Sequence, residues 1–248
     1  MRFFVGVTDY NWYKVHASRL QVDEVNFWRP SPDAGFKALK TGEPFLFKLH
    51  SPRNFIVGGG FFTKFLQLPV SLAWEAFGNG NGANTFLEVR QKIAKYRRQQ
   101  VSPEEDPRIG CIILTEPFFF PESDWIPCPD NFSLNIVSGK GYDTDEPMGA
   151  SLWADVSGRL VKTQASDPGP ATVAAIHAAR FGAPVLVMPR LGQGAFRLLI
   201  TDAYEHRCAM TGERTRPALE AAHIKPYSRG GPHELSNGIL LRSDLHKL

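Results

Sequence analysis

The sequence predicts an α+β protein in two parts, and three observations carry that prediction. Short aromatic or β-branched runs, separated by Gly, Pro and Asn, crowd the first 80 residues. A capped helix with basic faces follows near residues 85–99. A Pro/Gly break, Asp167-Pro-Gly-Pro170, then precedes a second series of helical and extended segments.

The elements follow in order. Phe3–Val7, Pro44–Leu49, Phe55–Gly58 and Gly60–Phe62 read as strands. Helices are expected near Asn11–Ser18 and Ser71–Phe77. Over Thr85–Gln99, Thr85 and Glu88 are spaced as a capping box, in which each satisfies an orphan N–H at the helix start. Phe86, Val89 and Ile93 share one face there, while Arg90, Lys92, Lys95, Arg97 and Arg98 make the others basic. Ile109–Thr115 and Trp125–Pro127 read as returning strands. Beyond the break, Ala171–Arg180 reads as helix and Val185–Met188 as extended. Phe196, Leu199, Ile200, Ala203 and Tyr204 then recur at helical spacing and lead into Cys208.

The 248 residues leave room for two domains, placed at 1–165 and 166–248. A hydrophobic content of 43% with 21% charged residues is that of a folded protein rather than a disordered one. The apolar runs are too short to span a bilayer, and Met1-Arg-Phe-Phe-Val lacks the stretch of a signal peptide. Cys111, Cys128 and Cys208 form no CxxC pair, which argues against a zinc knuckle or disulfide framework and fits a reducing cytoplasm. The net charge of +3 lies wholly in residues 166–248, with 10 Lys+Arg against 7 Asp+Glu. Eight of those ten cations are arginine, which grips phosphate through paired hydrogen bonds, so the excess favours a nucleic-acid partner.

The last fifty residues carry the chemistry. They hold Glu220-Ala-Ala-His223-Ile, Asn237-Gly-Ile-Leu-Leu and Leu245-His246, with a Gly/Pro-rich turn over 226–232. The order and spacing resemble the HNH (ββα-metal) nuclease motif, in which two short strands and a helix hold one divalent ion. The "EAAHI" segment, with Gly192-Gln-Gly-Ala-Phe-Arg197 upstream, is similar to a subgroup of predicted restriction endonucleases. The resemblance implies that His223 is the general base and His246 the metal ligand, while Asn237 either ligates the metal or orients His223 through its backbone. An imidazole suits the base, being largely neutral near pH 7, and a cation such as Mg²⁺ or Mn²⁺ neutralises charge on the leaving oxygen. Where many relatives carry a second metal ligand, this chain has Ala222; Glu220 is taken as the substitute, with Asp244 and His233 as alternatives. Relatives continue past the position of Leu248, so a C-terminally truncated domain is expected.

Arg190 and Arg197 flank the glycines of residues 192–194, where bare backbone amides suit a phosphate; the alternative is a plain helix entry. With Arg229 they are the candidate DNA-phosphate contacts.

Three pieces of the first part are similar to the EVE domain, a PUA-like β-barrel: Phe4–Trp12, Val25-Asn-Phe-Trp28, and Leu39–Ser51 followed by Ile56-Val-Gly58. That resemblance implies a barrel beside a pocket for a modified nucleobase, with Trp12, Trp28, Phe47 and Trp74 as stacking candidates and Asn26, His50 and Ser51 as edge readers. An extruded base regains its lost stacking in an aromatic pocket, although aromatic residues at strand spacing also build cores. Together the two resemblances imply a modification-dependent restriction endonuclease acting on double-stranded DNA near a 5-methyl- or 5-hydroxymethylcytosine. One HNH site cuts one strand, so a homodimer is expected. The alternatives are an HNH nuclease indifferent to modification and a non-catalytic binder of modified DNA.

Overall fold

The computed structural model describes residues 1–248 except 20–21, 33–34, 99–101, 103, 134, 167–191, 227–228 and 248. The helix and strand expected at 171–180 and 185–188, the break at 167–170, and Arg190 lie outside the described residues. The described chain is mixed α+β. In order it forms β1 (Arg2–Thr8), α1 (Tyr10–Ala17), β2 (Glu24–Arg29), β3 (Pro44–Leu49), β4 (Phe55–Pro69), α2 (Val70–Phe77) and α3 (Phe86–Arg97). Then come β5 (Arg108–Phe119), β6 (Ile126–Pro127), β7 (Gly139–Asp143) and α4 (Pro147–Ser166). The remainder is α5 (Gln193–Ala203), β8 (Leu219–His223), β9 (Gly238–Arg242) and a single turn, α6 (Ser243–His246).

The large sheet runs β2-β5-β4-β3-β1-β7, with β6 paired to the start of β4. Among the described residues only β1 and β3 pair in parallel; the other ladders of this sheet are antiparallel. No ladder joins β2 to β7 among the described residues, so the sheet is an open path and not the closed barrel expected. Register shifts break the β3–β4 and β4–β5 ladders near Phe47, Gly59 and Phe62, and such bulges bend strands and sharpen their twist. The two strands expected on either side of Gly59 are one 15-residue strand.

Three apolar clusters hold these layers. Leu152, Val156 and Leu160 of α4 cover one part of the sheet, against Phe3, Leu46 and Phe120. An aromatic cluster of Trp12, Phe27, Phe45 and Phe47 lies under α1. Trp12 fits there because Gly82 has a positive φ and no side chain: a Cβ at Gly82 would meet the indole at 1.9 Å. The third cluster joins the two parts of the chain. Ile109 and Ile113 of β5, Val70 and Ala73 of α2, and Val89 and Ile93 of α3 pack with Phe196, Leu199 and Ile200 of α5 and Leu240 of β9.

Polar links reinforce that junction. Glu24 on β2 accepts the N–H groups of Gly194 (2.9 Å) and Ala195 (3.1 and 3.2 Å) at the start of α5. A carboxylate at a helix N-terminus satisfies orphan donors and meets the positive end of the dipole. Burial nevertheless raises its pKa to about 7, against those N–H bonds, which lower it. Lys64 of β4 also pairs with Asp202 of α5 at 2.5 Å.

Candidate active site and candidate base cavity

The C-terminal site is built on the β8–β9 ladder, which pairs Glu220 with Leu241, Ala222 with Ile239 and His223 with Gly238. Between the strands the chain turns back on Asn237. Its side-chain oxygen accepts the Lys225 N–H (2.9 Å), and its amide donates to the carbonyls of Lys225 (3.1 Å) and Pro232 (2.9 Å). Its own carbonyl accepts the Ile224 N–H, so one side chain ties down the loop directly after His223. Gly231 is required beside it, because a Cβ there would meet the Lys225 carbonyl at 1.9 Å.

His223 is held by rings. Phe196 of α5 stacks on its face, with centroids 4.2 Å apart and planes 8° apart. His233 meets it edge-on at 4.6 Å. Burial lowers the His223 pKa, and the nearby His246 lowers it further. An imidazole held below its ordinary value is neutral near pH 7, the form that takes a proton from water.

Beside it, Nδ1 of His246 on α6 lies 2.6 Å from Oε2 of Glu220 on β8. Both side chains are about 40% exposed, at 39% and 41%. Ala222, at the position where a second ligand is expected, is buried. Asp244 is instead forked onto Arg242 by two 2.7 Å bonds, and His233 stands against His223. Among the described residues, no group of three His, Cys, Asp or Glu is arranged to hold a metal. The donor chemistry of Glu220 and His246 still fits a divalent ion of the Mg²⁺ or Mn²⁺ type, which binds through few protein ligands and fills its shell with water or phosphate oxygens.

Cys208 anchors the segment before β8. Its thiol accepts the Arg242 N–H of β9 at 3.2 Å, and Ala209 N–H bonds to the Leu240 carbonyl. Burial raises the thiol's pKa, but hydrogen bonds from Thr211, Met210 and Arg242 outweigh it and bring it to about 7. Of the expected phosphate contacts, Arg197 is paired with Glu75 of α2 at 2.9 Å, and Arg229 is exposed.

A second concavity lies in the N-terminal part, a cavity of about 560 Å³ lined by Trp12, Trp28 and His50 from the expected set. Tyr96 and Arg98, at the end of α3, and Phe36 also line it. Sequence reasoning missed these three: helix α3 read as a basic face, and Phe36 lies in the loop between β2 and β3 with no pattern around it. The indole N–H of Trp28 is fixed on the Asn81 carbonyl at 2.9 Å, and the Asp9 carboxylate caps α1 by accepting the Trp12 backbone N–H at 2.8 Å. Burial lowers the pKa of His50, with Asp9 acting the other way.

Four expected pocket residues are elsewhere. Phe47 is fully buried among Phe27, Trp12 and Phe119. Asn26 is also fully buried, its amide bonded to Asn81 and Cys111, so it reads no ligand edge. Trp74 packs with the α2–α3–α5 cluster beside Phe86. Ser51 is exposed and does not line the cavity.

A family model described as HNH endonuclease matches residues 208–248. The match supports a nuclease enzyme, with the nuclease domain in that segment. No curated protein matches the chain. Among solved structures, ASCH from Zymomonas mobilis matches at 11% identity and a TM-score of 0.39, covering 60% of this chain and 94% of that one. A mutant of the same protein matches at 11% identity and 0.39, covering 62% of this chain and 97% of that one. No helix among the described residues is long and apolar enough to cross a membrane.

Proposed function

We propose that this nuclease is a modification-dependent DNA endonuclease, cutting phosphodiester bonds near a cytosine carrying a 5-methyl or 5-hydroxymethyl group. The observation that carries the hydrolytic half is the grouping of His223 with the Glu220–His246 pair on a strand-turn-strand-helix unit. His223, stacked on Phe196 and kept neutral by burial and by the nearby His246, takes the proton of the attacking water. Asn237 orients it through the backbone of Ile224 and Lys225. Glu220 and His246 would hold the divalent ion, which supplies charge neutralisation at the leaving oxygen.

The reading half rests on the cavity of about 560 Å³ in an EVE-like, PUA-like first part spanning about residues 1–165. Trp12, Trp28 and Tyr96 offer ring surface to an extruded base, and His50 and Arg98 offer polar contacts to its edge. The site has one hydrolytic centre per chain, so a double-strand break takes two copies.

The test is cleavage of matched plain, 5-methylcytosine and 5-hydroxymethylcytosine duplexes with Mg²⁺ or Mn²⁺, beside a His223→Ala control. Cutting confined to a modified duplex and lost in the variant is expected. Equal cutting of all three removes the reading half. Absence of metal-dependent cutting removes the hydrolytic half and leaves a protein that only binds DNA.

A further inference from the structure

A groove of about 610 Å³ lies between α1 and α3, apart from both sites above. Two helical faces converge on it. From α1 come Asn11, Lys14 and Val15, with Ser18 just after the helix; from α3 come Glu88, Gln91, Lys92 and Lys95. Positions 11, 14, 15 and 18, and 88, 91, 92 and 95, each follow the spacing of one helix face. The opposite faces are consumed by the core through Trp12 and His16 on one helix and Val89 and Ile93 on the other. The polar stripes are therefore presented side by side.

The groove is cationic. Lys14, Lys92 and Lys95 line it, and its one carboxylate, Glu88, is bonded to the Asn84 N–H at 2.7 Å. Lys92 is spent on the Gly82 carbonyl at 2.8 Å. Among the described residues no ion pair involves Lys14 or Lys95. Asn11, Asn84 and Gln91 add amide donors. The same helices also wall the aromatic cavity: Trp12 lies on α1, and Tyr96 and Arg98 lie at the end of α3.

We infer that the α1–α3 groove carries the phosphodiester backbone of the DNA strand whose base enters the neighbouring cavity. Lysines from two elements facing one trough, with amide donors between them, are the chemistry that positions a phosphate chain without reading sequence. This assignment rests on the DNA-binding reading given above, and the test separates the two.

The experiment is a salt titration of the intact chain binding a fluorescent modified duplex in chelator, so that no cleavage occurs. Wild type is compared with Lys14→Gln/Lys95→Gln, with the Lys14→Arg/Lys95→Arg pair, and with Lys162→Gln, which lies on α4. Loss of two phosphate contacts lowers the slope of log affinity against log salt by about 1.8. The arginine pair and the Lys162 variant keep the wild-type slope. An unchanged slope in the glutamine pair, with wild type binding normally, overturns the groove assignment alone. Failure of wild type to bind DNA overturns the assignment together with the DNA reading. A reduced slope in the glutamine pair upholds the groove whatever the cleavage test above returns.

Discussion

His16 offers a quantitative test of how the first part is held together. Its ring is fully buried on the inner face of α1, stacked on Phe119 with centroids 5.6 Å apart and 4.2 Å from the Trp12 ring. Neither ring nitrogen has a hydrogen-bond partner among the described residues. Burial, aided by the charges of Arg19 and Lys92, lowers its pKa from 6.5 to about 3. Between those values the unfolded chain binds a proton that the folded chain refuses. The stabilisation is therefore complete above 6.5 and declines as pH falls toward 3. Near pH 5 the loss from this one residue is about 2 kcal/mol, one and a half pKa units at 1.36 kcal/mol each. Glu24 works in the opposite direction, because its raised pKa makes the folded state the stronger proton binder between the ordinary carboxylate range and about 7. A single pH series on wild type would mix the two. The assay is urea unfolding of wild type and His16→Phe near pH 7.5 and near pH 5, read as a difference of differences. Wild type should lose about 2 kcal/mol more than the variant on acidification. Equal losses would show that His16 is protonated in the folded protein, and the account of its burial would be wrong.

Three further predictions concern the nuclease unit. Phe196→Ala should cost about 3–5 kcal/mol in urea unfolding, as for other buried aromatic truncations; Phe196→Leu should fold better yet still show a kcat below wild type, since the ring stacked on the face of His223 is gone. A kcat in the leucine variant equal to wild type would mean the stack does not position the base. Asn237→Ala strands one N–H and two carbonyls of the 225–232 loop, so it should lose about 2 kcal/mol or more of stability; kcat should fall further than KM rises, and a pure KM effect would count against an orienting role. Chelation should abolish cleavage while leaving the thermal midpoint nearly unchanged, because Glu220 and His246 sit outside the apolar core; a drop of many degrees would point to a structural metal instead.

What was legible in the sequence was mostly local. The Thr85 cap of α3 could be read because its hydroxyl accepts the Glu88 N–H three residues on, at 3.2 Å, a contact independent of the rest of the fold. Its reciprocal bond differs, since Glu88 reaches the Asn84 N–H rather than that of Thr85. Strand β7 was illegible: Gly139-Lys-Gly-Tyr-Asp143 has no strand pattern of its own and is extended because β1 offers it a ladder from more than 130 residues away. Helix α4 was missed although Leu152, Val156 and Leu160 recur every four residues, because its glycines and serines diluted the signal. In the cavity, composition named the aromatic side chains but not which way each one faces. Phe47 faces the core, while Trp28, on an edge strand of the sheet, lines the cavity. Arg98 and Tyr96 reach the cavity from a helix some 70 residues along the chain, which no local pattern announces. At the nuclease site, the spacing of His223, Asn237 and His246 placed the side chains in one unit. It did not reveal Phe196, whose stack depends on a helix docked across both parts.

That docked helix has a consequence for anyone who would recombine the protein. The oily face of α5 (Phe196, Leu199, Ile200) is shared between β9 and the α2–α3 layer, so the cluster they build closes only when both parts are present. A nuclease fragment beginning at α5 would carry a bare hydrophobic stripe into water and is expected to aggregate rather than cut. A graft of this nuclease segment onto a different partner domain must therefore bring a surrogate for α2 and for the Glu24 cap, or redesign α5 for solvent.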